Sequence, residues 1–179
     1  MRKKLITAAT FKPLTLDEVK SFALRQTSEE DEAYIYRLID AATDAYENFT
    51  ERILCLSTWD LYLDAFPSEI ELPGPLSSVT SVGYQDTNDA AQTMTASYYV
   101  VDTVSEPARI CLAYEQSWPE TYAEINVVTV RFIAGYANAA AIPATIKDGL
   151  YLYIQEQYDG IDRQRAYEAL WMPLRIMHP

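Results

Sequence analysis

The sequence predicts an α+β fold, a small helical bundle with two N-terminal and two C-terminal helices into which an antiparallel β-sheet or small barrel is inserted. Apolar residues recur at helical spacing before residue 50 and after residue 143, whereas the stretch between them alternates with a period of two. The predicted division is a helical base from residues 1–54 and 136–179, with a C-terminal tail, and an inserted antiparallel unit from residues 55–135. Helices on both sides of a block of short strands are typical of the α+β class.

Two N-terminal helices are predicted, over residues 16–25 and 29–50. Thr15 and Glu18 have the spacing of a capping box, in which each side chain bonds the other residue's backbone N–H. The second helix follows Ser28 and a run of acids, which are favourable at the positive end of a helix dipole. Its apolar stripe consists of Ile35, Leu38, Ile39, Ala42, Tyr46 and Phe49.

Short strands with turn signals between them are predicted from residue 54 to residue 134. The strand that contains Trp59 and Leu61 alternates with polar residues, which places Asp60 and Asp64 on its solvent-facing side. Residues Thr87–Ala90 are predicted to form a hairpin turn, because Asn and Asp tolerate unusual backbone angles. The other strand signals are Glu69–Leu72, Val79–Tyr84, Gln92–Thr95, Tyr98–Thr103, Arg109–Ala113 and Val127–Ala134.

Two C-terminal helices are predicted after the strand block. Pro143 suits a helix start, because the N–H that proline lacks has no helical partner there. Gly149 weakens the first of these helices by roughly 1 kcal/mol relative to alanine, so we expect it to allow a close contact. Gly160 interrupts the chain, and the last helix is predicted over residues 163–172, where Pro173 stops it.

The chain is acidic, with 26 Asp and Glu against 14 Lys and Arg in 179 residues and a net charge of −12. Residues 1–28 carry six basic and two acidic residues, whereas residues 55–135 carry two arginines and eleven acids. This balance argues against a protein that grips nucleic acid by charge over its whole surface. A basic tip on an acidic body indicates two surfaces with different partners, although a solvated acidic surface that only keeps the protein soluble has the same composition.

The inventory of reactive residues excludes several classes of enzyme site. The one histidine, His178, precedes the C-terminal residue, which is a poor position for the base of a nucleophile. Cys55 and Cys111 are too few for a disulfide framework or a cysteine zinc site and are expected to be small core residues. The five glycines are too far apart for a phosphate-cradling loop, and the apolar runs are shorter than a membrane span. No catalytic residue, cofactor, metal or membrane partner is therefore predicted.

Paired carboxylates remain as an alternative, since a glycoside hydrolase needs two acids at a fixed separation. Glu69 and Glu71 share one strand face, and Asp60 and Asp64 share another. Their alternation with apolar residues fits a solvent-facing side of a strand better than a catalytic pair. The acids of residues 86–89 indicate calcium only weakly, because the ligand spacing of an EF-hand loop is absent.

Eight segments carry a resemblance to a known family: Leu14–Lys20, Leu38–Thr43, Glu47–Thr50, Thr58–Leu61, Ile70–Pro73, Tyr99–Asp102, Val128–Tyr136 and Ile142–Lys147. In order and spacing they resemble the head–tail connector (adaptor, or head-completion) proteins of long-tailed phages, prophages and gene transfer agents. The resemblance covers residues 14–172, and no single motif is specific. The chain departs from it at Glu51 and Ala137, where family members often have glycine, so the shape of the turn at Glu51 is left open.

The resemblance implies a structural virion protein without an active site. Such proteins form a ring, usually dodecameric, that lies beneath the portal protein in the neck of the virion. The ring extends the channel through which double-stranded DNA passes, and it carries the stopper or tail-terminator protein. We expect acids of residues 29–179 to line this channel, because like charge lets DNA slide without binding. A tail-tube or other ring-forming tail protein and a carboxylate-dependent glycoside hydrolase remain the alternatives.

The C-terminal tail is the candidate binding segment. Exposing its apolar side chains on a monomer is unfavourable, at about 25 cal/mol for each Å². The tail either folds back on the protein's own core or docks on the portal protein, as the resemblance to connector proteins implies. The predicted docking residues, with Trp171 and Arg175 as anchors, are Trp171, Pro173, Leu174, Arg175, Ile176 and Met177.

Overall fold

A computed structural model describes residues 2–24 and 32–176, which form two compact units. One unit, built of strands, comprises residues 2–9 and Leu56–Gly135. The other unit, built of helices, comprises Thr10–Cys55 and residues 136–176 of the described chain. This composition confirms the predicted α+β class, and the strands of the described residues form open sheets rather than a closed barrel.

The N-terminal residues depart from the predicted division, which assigned residues 1–54 to the helical base. Lys3–Thr7 form strand β1, which pairs antiparallel with β2 (Ser57–Leu63) at the edge of a sheet. The pattern of two lysines followed by two aliphatic residues does not alternate in polarity, so periodicity alone misses the strand. Its hydrogen bonds to β2 define it, beginning with the Tyr62 N–H that donates to the Arg2 carbonyl at 2.9 Å.

The other strands of this unit complete two antiparallel sheets. They are β3 (Ile70–Leu72), β4 (Leu76–Gln85), β5 (Ala91–Thr93), β6 (Tyr99–Asp102), β7 (Ala108–Leu112) and β8 (Val128–Ala134). One sheet has the strand order β1-β2-β8-β4-β5, and the other has the order β3-β7-β6. The predicted strands all exist, with bounds that differ from the predicted ones by one or a few residues.

Strand β8 is the centre of the five-stranded sheet. Its alternate residues Val128, Val130, Phe132 and Ala134 are buried in the core of the strand unit, and the residues between them are half-buried or exposed. Burying each of the larger side chains stabilises the fold by about 1.5–3 kcal/mol. The period of two in the sequence therefore identified the main core strand.

The hairpin between β4 and β5 turns where the sequence predicted it. One carboxylate oxygen of Asp86 accepts the N–H groups of Asn88 and Ala90, at 2.9 and 3.1 Å. The other accepts a hydrogen bond from the side chain of Gln92 at 2.8 Å. Asp89 adopts the left-handed region with φ of 61°, which Asp tolerates better than most residues. The carboxylate of Asp86 therefore builds the turn.

The helical unit contains four α-helices among the described residues: α1 (Leu16–Glu18), α2 (Glu32–Thr50), α3 (Ala144–Asp159) and α4 (Gln164–Trp171). A π-helical stretch, Val19–Leu24, continues α1. The capping box is formed, because Thr15 Oγ1 accepts the Glu18 N–H at 3.2 Å and the Glu18 carboxylate accepts the Thr15 N–H at 2.7 Å. The predicted start of the second helix at residue 29 lies outside the described residues.

The core of the helical unit lies between α2 and α3. The apolar stripe of α2 is buried except for Phe49, which is half-buried, and it meets the buried Ile146, Leu150 and Ile154 of α3. Pro143 lies at the N-cap position of α3, and Gly160 ends the helix with φ of 72°. Within the described ranges, no helix combines the length and the apolar composition that crossing a membrane requires.

Candidate functional site

Trp171, predicted as a docking anchor, lies in the core of the helical unit. Its ring meets Tyr46 edge-on at 5.5 Å between centroids and lies 5.1 Å from the ring of Tyr167. Its indole N–H is 3.4 Å from the carbonyl oxygen of Ile146, and the whole side chain is 0% exposed. The Trp171 ring is not exposed to a partner in this structure, because the aromatic residues of α2 and α4 enclose it.

The close contact predicted at Gly149 is confirmed, and Trp171 makes it. A Cβ atom placed on Gly149 would lie 2.1 Å from Trp171 Nε1 and 2.7 Å from Cε2. Real Cβ atoms do not approach other atoms so closely. Glycine therefore lets the indole of α4 lie directly against the backbone of α3.

The chain after α4 turns back onto the end of α2. A 3-10 turn, Met172–Leu174, follows the helix, and the Ile176 N–H then donates to the Thr50 carbonyl at 2.9 Å. The Ile176 side chain is buried, and the Arg175 guanidinium lies 5.6 Å from the centroid of the Phe49 ring. Over residues 174–176 the structure thus shows the tail folded on its own unit, which is the first of the two alternatives.

Part of the predicted docking segment nevertheless faces solvent. Pro173 and Arg175 are exposed, Leu174 is half-buried, and the neighbouring Met172 is also exposed. Met177 lies outside the described residues. The structure therefore divides the segment into a buried part, Trp171 and Ile176, and an exposed part between them.

The end of α2 that receives the tail is a left-handed turn without glycine. Glu51 has φ of 59°, and its N–H donates to the Glu47 carbonyl at 2.9 Å. The Glu47 side chain accepts the Leu54 N–H at 2.7 Å. The turn therefore keeps the shape that a glycine would adopt, which answers the question that the sequence left open at Glu51.

Arg52 is a positioning residue that the sequence analysis missed. It is buried, and its Nη1 lies 3.4 Å from the carbonyl oxygen of Leu174, at the base of the tail. Its position beside Ile53 and Leu54 could have predicted this role. An arginine next to a buried apolar pair needs hydrogen-bond acceptors inside the protein. In this chain one of those acceptors is the tail backbone.

Asp60 was predicted to face solvent, but in the structure it does not. Its carboxylate is buried and receives two hydrogen bonds from Arg131, from Nε at 2.8 Å and from Nη2 at 2.8 Å. These bonds raise the pKa of the Arg131 guanidinium. The alternation rule failed here because Arg131 lies directly opposite Asp60 on the neighbouring strand β8, and a charge-assisted pair offsets the cost of burial.

Arg109, the other arginine of residues 55–135, binds two carboxylates. Arg109 of β7 lies 3.4 Å from the Glu69 carboxylate and 3.1 Å from that of Asp102 on β6. Hydrogen bonds from the side chain and N–H of Ser105, from the Val104 N–H and from Arg109 hold the pKa of Asp102 well below its ordinary range. Arg109 thus joins Glu69 and Asp102 in one group of ion pairs.

The two cysteines differ in burial. Cys55 is a core residue, as predicted, and its burial raises the pKa of its thiol to about 12. Cys111 is only half-buried, and its sulfur lies 3.8 Å from the Glu69 carboxylate. Among the residues that the structure describes, no group of three or more His, Cys, Asp or Glu side chains is placed to hold a metal ion.

Comparison with known proteins gives matches in structure only. No protein-family model and no curated protein matches the chain. A chain in the neck of an empty GTA particle, computed with C6 symmetry, superposes with a TM-score of 0.83 at 20% identity, covering 100% of this chain and 97% of that chain. This chain has the fold of a GTA neck chain.

Two further solved structures agree. A chain in the virion of a native gene transfer agent (GTA) particle gives a TM-score of 0.83 at 19% identity, and one in the neck of a native GTA particle computed with C12 symmetry gives 0.78 at 20% identity. Both matches cover 100% of this chain and 97% of the other. The likeness therefore extends over both units, and it shows that this chain shares the fold of chains in GTA particles.

Proposed function

We propose that the chain is a structural subunit of the neck of a phage-like particle, a head–tail connector without catalytic activity. The observation that carries the proposal is the full-length likeness, at a TM-score of 0.83, to a chain in the neck of a GTA particle. The order of the eight sequence segments supports the same function independently, because it is a property of the amino-acid sequence alone.

The proposed assembly is a ring in the virion neck. The matching neck structures were computed with C6 and C12 symmetry, which supports a cyclic homo-oligomer and agrees with a dodecamer. A cyclic ring needs two different surfaces on each subunit, one for each neighbour. Its axial partners are the portal protein on one side and the stopper or tail-terminator protein on the other.

The proposed channel of this ring passes double-stranded DNA and is lined in part by acids. Eleven Asp and Glu against two Arg in residues 55–135 support this proposal. A wall of like charge repels the phosphate backbone and avoids the counterion release that drives binding. In this proposal the helical unit is the base of the subunit, and the inserted strand unit makes further contacts.

The proposed contact with the portal protein uses the exposed part of the tail. Pro173, Leu174 and Arg175 lie on a turn that is fixed at both ends by the buried Trp171 and Ile176. A fixed turn loses little conformational entropy on binding. Trp171 supports the docking surface from within instead of inserting into the partner.

Deletion of the gene in a strain that produces the particles tests the proposal. We expect DNA-filled heads without tails, and we expect the purified chain, added to these heads, to restore tail joining. Normal tailed particles without the protein would contradict the proposal. Heads that keep a complete neck ring but lack tail tubes would instead indicate the tail-tube alternative.

A further inference from the structure

The outer face of α4 is a solvent-exposed row of one basic and two apolar residues. Tyr167 and Trp171 of this helix are buried, whereas Arg165, Ala169 and Met172 are exposed at the spacing of one helix face. Met172 directly follows the helix but keeps helical backbone angles, with φ of −52° and ψ of −44°. Its side chain is 52% exposed, so the row ends in a large apolar group that faces solvent.

A groove lies on the same unit, between α2 and the end of α3. Its volume is about 420 Å³, and along α2 it is lined by Tyr34, Leu38, Ala41 and Asp44, with Gln157 of α3 on the other side. Ala41 is half-buried and has no side-chain atom beyond Cβ, so another helix can approach α2 closely at this point. The groove is therefore apolar in its middle and carries a carboxylate at one end.

The two surfaces carry opposite charges that are available for a new contact. Asp44 and Arg165 are both exposed, and among the described residues neither side chain has a hydrogen bond or an ion pair. The neighbouring acid of the groove, Asp40, is already bound by Lys12. Arg37, the cation of the groove, lies seven residues before Asp44, which is about 10 Å along the helix. The Asp44 carboxylate can therefore receive a cation from another molecule.

We propose that the outer face of α4 of one subunit packs antiparallel into the α2 groove of the next subunit in the ring. The rise of about 1.5 Å per helical residue sets the register once Arg165 lies opposite Asp44. Ala169 is then about 6 Å further along α4, and Ala41 is about 4.5 Å further along α2 in the same direction. The two alanines therefore face each other where the helices come closest.

Met172 meets the apolar part of the groove in this register. It lies about 10.5 Å from Arg165 along α4, whereas Leu38 and Tyr34 lie about 9 Å and 15 Å from Asp44 along α2. A methionine side chain fills irregular gaps, and its sulfur packs favourably against an aromatic ring. The row on α4 thus matches the groove at three successive levels, with an ion pair, a close contact between small residues and an apolar contact.

The occupant of the groove is a second copy, because both halves of the contact are present on one chain. The contact joins two different faces of the helical unit, so it is head to tail and forms a ring when its rotation closes. The neck structures that this chain resembles have C6 and C12 symmetry, which supplies a neighbour on each side. The inference rests on the proposed function for the ring itself, and it adds the surface that joins neighbouring subunits.

A disulfide between subunits tests the register. Helix axes 8–10 Å apart bring facing Cα atoms to about 4–5 Å, which suits a disulfide. The variant is Ala41→Cys with Ala169→Cys in a Cys111→Ser background, and the buried Cys55 is left in place. We expect mild oxidation to link subunits into a ladder that ends at the closed ring. Asn48→Cys with Ala169→Cys is the matched control, because the exposed Asn48 lies about 10 Å from Ala41 along α2. An equal ladder from this control would overturn the register.

The experiment separates failure of the contact from failure of the proposed function. The cysteine variant is examined both in purified particles and as the concentrated chain, after its Tm has been shown to match that of the wild type. If the chain forms the neck ring but no ladder appears, the contact is wrong and the function stands. If the chain is absent from particles yet forms the ladder alone, the contact stands and the function is wrong. Absence of both overturns both.

A charge swap tests the same contact without cysteine chemistry. Asp44→Arg places two cations opposite each other and should weaken ring assembly roughly fivefold per contact. Arg165→Asp in the same chain should restore assembly, a rescue that a merely local structural role of either residue would not produce. Asp148→Arg is the matched control, because Asp148 is an exposed acid of α3 in the same unit. Unchanged assembly of Asp44→Arg, with a normal Tm, would overturn the contact.

Discussion

At the scale of single residues, two backbone positions affect the stability of the helical unit. Gly149 lets α3 approach the indole of Trp171, and Glu51 turns the chain out of α2 in a left-handed conformation. At Gly149 the packing leaves no room for a side chain. At Glu51 the left-handed backbone accepts a side chain, but at a cost in conformational energy. Opposite substitutions at these two sites should therefore change stability in opposite directions.

Gly149→Ala should destabilise the protein. Its Cβ would lie 2.1 Å from Trp171 Nε1, and such overpacking costs about 1–3 kcal/mol, more than the gain of roughly 1 kcal/mol in helix propensity. Chemical denaturation measures the change in the free energy of unfolding. Gly83→Ala is the control, since the nearest atoms to its new Cβ lie at an ordinary 3.6 Å. A Gly149→Ala protein more stable than the wild type would refute the packing argument.

Glu51→Gly should stabilise the protein. The left-handed conformation costs a residue with a Cβ roughly 1 kcal/mol, and glycine avoids this cost. Glu51→Ala, which keeps the Cβ, is the matched control and should not stabilise. Thermal denaturation of the three proteins gives the comparison. Equal Tm values for the glycine and alanine variants would show that the backbone strain at φ of 59° is negligible.

The low pKa of Asp102 predicts a contribution to acid stability. Hydrogen bonds from Ser105 and Val104 and the guanidinium of Arg109 favour the charged carboxylate in the folded state. A folded-state pKa below the ordinary 3.8 gives stability that is complete above that pH and is lost as the pH falls through the lower folded value.

Asp102→Asn tests this sign. We expect the wild type to lose more of its urea midpoint than the variant between about pH 5 and pH 2. At neutral pH the variant should be the less stable of the two. Parallel midpoint curves for the two proteins would show that Asp102 titrates equally in the folded and unfolded states.

At the scale of elements, the C-terminal segment combines a structural and a proposed binding part. Ile176 and Trp171 belong to the core, whereas Arg175 between them is exposed and packs on Phe49. Truncation of the whole tail would mix the two effects. Two point variants separate them.

Ile176→Ala should lower stability, and Arg175→Glu should lower portal attachment alone. Truncation of a buried isoleucine costs about 2 kcal/mol or more, so the first variant should show a lower Tm. The second leaves the core intact, and its Tm should stay near that of the wild type while its binding to DNA-filled heads falls. Normal head binding by Arg175→Glu would contradict the docking proposal, whatever the Tm of Ile176→Ala.

The strand elements show the limit of alternation as a rule. The rule located each predicted strand. It assigned Asp60 to the solvent side because it uses the residues of one strand and contains no information on the neighbouring strand. The partner of Asp60 is Arg131, 71 residues away in the chain. The pairing becomes visible only when the strand order places β2 beside β8.

At the scale of the whole molecule, charge is distributed unevenly between segments. Residues 1–28 are basic, and residues 55–135 hold two arginines, each of which binds at least one carboxylate. Most acids of that stretch are therefore left to set a negative potential. This potential would favour free passage of DNA rather than its retention.

In an assembled ring, we expect the channel wall to carry more Asp and Glu than Lys and Arg. A map of the neck at side-chain resolution checks this directly, and DNA passage should then depend little on salt concentration. A channel wall dominated by lysine and arginine would exclude the proposal, since such a wall would bind DNA with a steep salt dependence.

The sequence by itself determined the α+β class, the positions of most strands, the capping box at Thr15 and Gly149 as a position that allows a close contact. These features depend on local periodicity or on the chemistry of one residue, so residues close together in the sequence suffice to predict them. The order of the eight segments also carried the resemblance to connector proteins, and the structure shares the fold of chains in GTA particles.

Only the tertiary structure decided which residues pair across the chain. It placed Lys3–Thr7 in the sheet, paired Asp60 with Arg131 and enclosed Trp171 in the core. Each of these facts depends on a contact between residues far apart in sequence, and no local pattern encodes such a contact. The sequence around an aromatic residue near a terminus is the same whether its side chain packs against a partner or in the protein's own core. Burial is a property of the folded chain, and here the fit of the indole against Gly149 decided it.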